Sequence, residues 1–525
     1  MDRSIPTPRT KPFDEEAAPA AAGVISTDAP DNKEVGPSPS DSELEEERQQ
    51  EQAGNGTPHK SLFSEILMVG TICAAQLMTQ AGFGMVIAPL HIVGSSFGVS
   101  SPGELSWFAA SYSLTVGTFI LVAGRLGDVF GHKFIFTLGF VWYGIASLIA
   151  GFSVWSHSSI FFDVCRALQG IGPAMLLPNA VAILGREYAA GPRKNMMFSL
   201  FGATAPGGFV VGSIIASALS ENVWWPWAYW VLAIACFCFA VLGYFVIVAR
   251  APGKPDDDLT WMARLDIPGS ITGVVGLVLV NFAWNQGPVV GWHVPYTYVL
   301  LVVGLLVLGA FVYIELHAAK PLLPREIYTS EIAFVLSIIA AGWSSFGILV
   351  FYSFQISQVI RGDSALLVSA KWAWVALSGA VAAVTTGFLM AHVRPSVLLL
   401  AAMAAFSIGQ SLLASWPIDQ TYWAQAFVIT LVTPWGMDIS FPAGTLILSN
   451  RVSHENQGVA ASVVTTVVNY SISIGLGLAG TVEAYVNHNG EDVLKGYRGA
   501  SYMGVGLAGL GIVIATMYVI RDYTR

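Results

Sequence analysis

Apolar positions dominate the chain from about residue 62 onwards, in long runs separated by mostly short polar connections. Each run has about eighteen residues or more, enough for a helix to cross the ~30 Å hydrocarbon core of a bilayer. The fourteen runs occupy roughly residues 66–90, 104–124, 133–153, 160–184, 194–219, 224–249, 267–286, 295–316, 331–355, 365–390, 396–415, 421–448, 456–484 and 501–520. The pattern predicts an all-α polytopic membrane protein with 14 transmembrane helices in a lipid bilayer.

Composition supports this class and argues against a soluble protein. Of the 525 residues, 54% are hydrophobic and only 11% are charged, whereas soluble domains have about 25% charged residues. The first 60 residues differ, with 13 acidic and 6 basic side chains, so we expect residues 1–61 to form a disordered acidic cytoplasmic tail. The charge pattern is not that of a nucleic-acid-binding protein, and no nucleic-acid partner is expected.

Basic residues in the connections predict the orientation. Twelve lie on the same side as the tail and three on the opposite side. Because cytoplasmic connections are enriched in Lys and Arg, we expect both termini in the cytoplasm, with the plasma membrane as the location and the vacuolar membrane as the alternative. The sequence shows no nucleotide-binding loop, Cys/His cluster or soluble catalytic domain. We therefore expect a secondary transporter without a cofactor, metal site or enzymatic activity.

The connection after the second run reads G-R-L-G-D-V-F-G-H-K over residues 124–133. It resembles the loop signature of the major facilitator superfamily, G-x-L-x-D-x-x-G-[RK]-[RK], through Gly124, Asp128, Gly131 and Lys133. Positions 129 and 132 depart from that signature. A carboxylate beside cations at a helix end can form an ion-pair latch, so these four residues are expected to act in gating.

The fourth run contains Arg166 within R-A-L-Q-G-I-G, which is similar to the superfamily pattern R-x-x-Q-G-x-G. The resemblance implies a role in proton transfer or substrate contact. Two alternatives remain open from the residues alone. Arg166 snorkels to the outer interface, or it pairs with Asp163 three residues earlier.

The fifth run carries Gly202, Pro206, Gly208 and Gly212. The run resembles the antiporter signature G-P-x-x-G-G, with departures at positions 209 and 213, and the resemblance implies export and a gating role. Close packing between helices explains a stripe of small residues equally well.

Asp438 is the only Asp or Glu near the middle of any run. Carboxyl groups inside the bilayer commonly belong to proton relays, so we expect Asp438 to carry the coupling proton, with Arg166 as a second participant. Pro434 and Pro442 are expected to interrupt the helix around it and to act in gating. In the alternative, a neighbouring cation or amide satisfies the carboxylate.

Polar and aromatic residues on several runs are candidates for the substrate cavity. Gln76 and Gln80 share one face of the first helix, and Gln80 aligns with the aspartate that drug:proton antiporters of this superfamily commonly carry. The cavity is expected to include Gln76, Gln80, Trp343, Tyr352, Gln355, Trp435 and Asn469. Lys371, the other embedded charge, either snorkels or attracts anions.

Residues 435–483 and 281–292 resemble the fungal aminotriazole-resistance and boron-efflux-like branch of the fourteen-span drug:proton antiporters. The resemblance implies the major facilitator fold, with pseudo-symmetric six-helix bundles over 62–250 and 326–525 and two extra helices in a 251–325 linker. It also implies proton-coupled efflux of small toxic compounds or fungal secondary metabolites, which we expect a monomer to perform. The alternative is a low-affinity facilitator or uptake carrier for a small solute such as ammonium or borate. No sequence feature supports a membrane-bound enzyme or a nutrient receptor.

Overall fold

The computed structural model describes residues 61–188, 192–249, 261–453, 456–487 and 490–524. The acidic tail predicted over 1–61 lies outside this part except for Ser61. The described residues contain fourteen helices long and apolar enough to cross a bilayer, as the pattern predicts. They are α1 Leu62–Ile87, α2 Pro102–Phe130, α3 His132–Ser156, α4 Ser159–Glu187, α5 Met196–Asn222, α6 Pro226–Val246, α7 Ile267–Val290, α8 Pro295–His317, α9 Ser330–Ile360, α10 Ala365–Leu389, α11 Pro395–Ala414, α12 Gln425–Ser449, α13 Gln457–Val486 and α14 Val493–Thr524.

Local sequence accounts for many of the helix starts. Four hydroxyl side chains accept a hydrogen bond from the backbone N–H three residues later, which satisfies a donor that has no partner within the helix; they are Ser61, Ser158, Thr329 and Ser364. Proline is the first residue of α2, α6, α8 and α11, where its missing N–H costs no helical bond. The last helix starts at Val493, before the apolar run that begins at residue 501. The pattern missed these first turns because they contain the charged residues Lys495 and Arg498.

Helix contacts divide mainly into two groups. Within α1–α6, α1 packs on α5, α2 on α4, and α3 on both α4 and α6. Within α9–α14, α9 packs on α13 and α14, and α11 packs on α12 and α14. We refer to these groups as the first and second halves. The most extensive contacts between the halves join α2 with α13 and α5 with α10, and the α7–α8 hairpin packs through α7 against both α2 and α13.

Large apolar side chains cover much of the outer surface. Phe245, Leu306 and Val384 are 69–77% exposed, which suits a surface facing hydrocarbon rather than water. With fourteen antiparallel helices, the described ends at Ser61 and Thr524 lie on the same side, which we call the terminal side. The opposite side is the distal side.

Candidate functional site

Asp438 lies in the middle of α12, but the structure corrects the prediction about its helix. The helix runs without a break from Gln425 to Ser449, through both Pro434 and Pro442. Each proline lacks an N–H, so the carbonyls of Thr430 and Asp438, four residues earlier, lack their usual donor. Packing against neighbouring helices maintains a transmembrane helix despite such losses.

The Asp438 carboxyl lies close to a contact between the two halves. A methyl group placed on Gly379 of α10 would be 2.5 Å from Cγ of Pro206 in α5 and 3.2 Å from Oδ2 of Asp438. The Oδ2 atom is buried and has no hydrogen-bond partner among the described residues. The alternative prediction is that a neighbouring cation or amide satisfies this carboxylate. In the described part of the chain, no such group bonds to Oδ2.

An aromatic cluster on α9 and α11 contacts α12 two residues after Asp438. The indole N–H of Trp343 donates to the hydroxyl of Ser440 over 3.1 Å, and the Trp343 ring packs against Phe346 and Phe406. Ser440 is completely buried. This contact fixes α9 against α12 next to Asp438.

Arg166 is completely buried, so it does not snorkel. Its Nε donates to the carbonyl of Phe108 over 3.0 Å and another guanidinium nitrogen donates to the carbonyl of Gly82 over 2.9 Å. A third bond reaches the Gln169 side chain, and the Tyr112 ring lies 4.5 Å from the guanidinium carbon. The guanidinium therefore joins α4 to α1 and α2; its role in proton coupling remains a prediction.

The connection expected after the second run is helical except for Gly131, since α2 continues to Phe130 and α3 begins at His132, and its Asp128 forms the ion pair expected of a latch. Asp128 lies 3.4 Å from the His132 ring and 3.8 Å from Arg186 at the end of α4. Gly131 has φ +99°, a conformation that side chains disfavour, and it forms the junction between α2 and α3. Lys133 lies 5.2 Å above the ring of Tyr244. Because Asp128 and Arg186 are both exposed to solvent, their pair is weak; the gating role of this segment remains a prediction.

The α5 glycines have different surroundings. A methyl group on Gly208 would lie 2.4 Å from the backbone oxygen of Leu77, and one on Gly212 would lie 2.4 Å from the Ala81 backbone. Close packing against α1 therefore requires these two glycines. A methyl group on Gly202 would meet no atom within 4 Å, so contact with a neighbouring helix does not explain it.

The remaining residues predicted to line the substrate cavity lie in different parts of the structure. Tyr352 is buried and packs on Tyr497 of α14. Asn469 donates within its own helix, to the carbonyl of Thr465. Gln355 belongs to a contact between the halves, which is described next. The candidates that are half-buried are Gln76, Gln80, Trp435 and Asn469. Their part in substrate binding stays a prediction.

Contacts that sequence reasoning missed join the halves on the distal side. The His91 ring, in the short helix Leu90–Ser96, lies 2.7 Å from the Gln355 side-chain oxygen. Gln358 donates to the carbonyl of Ala88 over 2.6 Å. The hydroxyls of Ser217 in α5 and Ser369 in α10 lie 2.9 Å apart. No sequence signal marks these pairs, because their partners are far apart in the chain.

Lys371 forms an ion pair on the same side. Its ammonium group lies 2.6 Å from the Asp363 carboxylate, and Arg361 lies 3.8 Å from the same carboxylate. The charge is therefore paired near the start of α10, which differs from both snorkelling and a free anion-attracting site.

Comparisons with known proteins identify the family. The family model described as Major Facilitator Superfamily matches residues 72–352. The chain is 60% identical to the low affinity ammonium transporter of Saccharomyces cerevisiae, over 89% of this chain and 90% of that protein. The chain belongs to the Major Facilitator Superfamily. It is therefore a multi-pass membrane transporter.

Other fungal members of the superfamily support the predicted branch. The chain is 46% identical to the efflux pump terJ of Aspergillus terreus, over 89% of this chain and 90% of that protein. It is 38% identical to the aminotriazole resistance protein of Saccharomyces cerevisiae, over 89% of this chain and 86% of that protein. Among solved structures, the POT family transporter PepTSo matches with a TM-score of 0.60 and 13% identity, over 87% of this chain and 98% of that one. This last likeness concerns the fold alone.

Proposed function

We propose that the chain is a proton-coupled exporter of small toxic compounds or secondary metabolites, in which Asp438 binds the proton. The observation that supports this most is the buried Asp438 oxygen without a hydrogen-bond partner among the described residues, close to where Pro206 and Gly379 bring the halves together. An isolated buried carboxylate is costly, and binding a proton removes its charge. Movement of the halves apart would admit water and release the proton.

The distal contacts support alternating access as the mechanism. The polar side-chain contacts between the halves through His91, Gln358 and Ser217 lie toward the distal side. They are typical of a conformation closed on that side. We place the terminal side in the cytoplasm because most basic connection residues are there, and we expect a monomer in the plasma membrane, with the vacuolar membrane as the alternative.

A second candidate function follows from the relative with 60% identity. Its name describes a low affinity ammonium transporter, and this favours a facilitator or uptake carrier for a small solute such as ammonium. The efflux pump with 46% identity favours export. Coupling to protons distinguishes the two functions, since a facilitator equilibrates its solute without a gradient.

Purified protein in proteoliposomes with an imposed pH gradient tests both. Labelled aminotriazole and labelled ammonium serve as probes, measured with and without a protonophore. For the exporter, we expect the gradient to drive accumulation of aminotriazole, and both the protonophore and Asp438→Asn to abolish it. The matched control Glu104→Gln, at an exposed position, should transport normally. Equilibration of either probe that neither the protonophore nor Asp438→Asn affects would support the facilitator instead.

A further inference from the structure

Two carboxyl groups are buried together at the terminal end of the α7–α8 hairpin. Glu315, in the last turn of α8, is completely buried, and Asp266, immediately before α7, is 5% exposed. One Asp266 oxygen accepts the N–H of Gly269 over 3.2 Å. One Glu315 oxygen accepts the N–H of Leu323 over 2.9 Å. Each carboxyl group therefore has one oxygen bound to the backbone.

The two remaining oxygens lie beside each other. A methyl group on Gly269 would be 2.1 Å from Oδ2 of Asp266 and 2.7 Å from Oε1 of Glu315. Both oxygens are buried without a donor from any other described group, and the two side chains are within hydrogen-bonding reach of each other. Because carboxylate oxygens only accept, a hydrogen bond between them requires a proton on one group.

Helix ends indicate which group holds the proton. Asp266 caps the N-terminus of α7, where the helix dipole stabilises negative charge. Glu315 lies in the last turn of α8, where the dipole disfavours negative charge. The arrangement therefore favours a protonated Glu315 that donates to an ionised Asp266.

Charged and titratable groups surround the pair on the connections and on α2. Tyr328 lies within electrostatic range of the Glu315 carboxyl group, and burial is the main cause that raises the pKa of Tyr328 to about 12. Arg325 donates to the carbonyl of Leu316. Arg125, near the end of α2, donates to two carbonyls on the connections. The carbonyl of Arg264 lies at 2.8 Å and that of Lys320 at 3.4 Å. Arg125 thus contacts both the connection that carries Asp266 and the connection that follows Glu315.

We propose that Asp266 and Glu315 form a second proton-binding site, which holds one shared proton and couples the pH on the terminal side to α2 through Arg125. Loss of this proton places two negative charges side by side in a buried space. The two connections then separate, and Arg125 loses carbonyl partners within the Gly124–Lys133 segment. This site is independent of Asp438 and does not depend on the direction of transport.

Infrared spectroscopy of the purified full-length protein tests the shared proton directly. The background is Asp438→Asn, so that Asp438 does not contribute. We expect a C=O stretching band from a protonated carboxyl group at neutral pH. Part of this band should disappear in Glu315→Gln, whose amide donates to Asp266 without a titratable proton, and in Asp266→Asn. The control Glu104→Gln should retain the whole band. Absence of the band in the background protein, or an unchanged band in both pair variants, would overturn the proposal.

Transport at varied internal and external pH tests the coupling. In the protein with Asp438 intact, we expect the rate to change with pH on the terminal side. Glu315→Gln should transport at neutral pH but show a weaker dependence on that pH, because only proton binding at Asp438 remains, while Glu104→Gln keeps the full dependence. A pH dependence in Glu315→Gln and Asp266→Asn identical to that of the original chain would contradict the coupling to α2. If one variant does not fold, the other provides the same comparison.

Discussion

At the scale of single residues, His91 provides a titratable contact between the halves. Burial lowers the pKa of His91, and its hydrogen bond with Gln355 acts in the opposite direction. A histidine freed from this contact titrates near its ordinary pKa of about 6.5. The contact therefore stabilises the distal-closed form fully above about pH 6.5, and that contribution is lost as the pH falls from there through the lower pKa of the closed form.

Distances between spin labels on the distal side test this prediction. Labels at Val223→Cys and Asp419→Cys, both exposed positions on connections of different halves, report opening in a Cys238→Ser background. We expect acidification to increase the distance in the original chain and to have less effect in His91→Asn. An equal increase in both proteins would show that His91 is not the titrating group.

At the scale of helices, the tight contact between α1 and α5 explains two of the glycines in α5. Gly212→Ala would place a methyl group 2.4 Å from the backbone of Ala81, and backbone atoms cannot move aside as a flexible side chain can. We expect a loss of about 1–3 kcal/mol of stability. Gly207→Ala is the matched control, because its methyl group would meet nothing within 4 Å. Thermal unfolding of both purified variants measures the difference, and equal midpoints would contradict the packing account.

Sequence pattern predicts the helices well and their pairings poorly. Hydropathy depends on local composition, so the fourteen helices and the central position of Asp438 can be predicted. The continuity of α12 through Pro434 and Pro442 cannot, because neighbouring helices compensate for the missing donors. Pairing of Asp266 with Glu315 depends on the return of the chain through a whole hairpin, and neither residue lies in the middle of an apolar run.

At the scale of the whole molecule, alternating access requires the distal contacts to separate. The hydroxyls of Ser217 and Ser369 lie 2.9 Å apart, so cysteines at both positions have room to form a disulfide. We expect Ser217→Cys/Ser369→Cys to lose transport on oxidation and to recover it on reduction, while each single variant remains active. Transport that persists in the fully oxidised double variant would contradict opening at this contact.

Proton release in solution reports directly on coupling through Asp438. Antiport through Asp438 requires solute and proton to weaken each other's binding. The purified protein is kept in detergent and weak buffer with a pH-indicator dye. The solute added is aminotriazole or ammonium, whichever the proteoliposomes transport. The dye then detects the protons that the protein releases, after the signal of a protein-free sample is subtracted. We expect release by the original chain and by Glu104→Gln, and none by Asp438→Asn. Equal release by Asp438→Asn, or none by the original chain, would contradict coupling through Asp438.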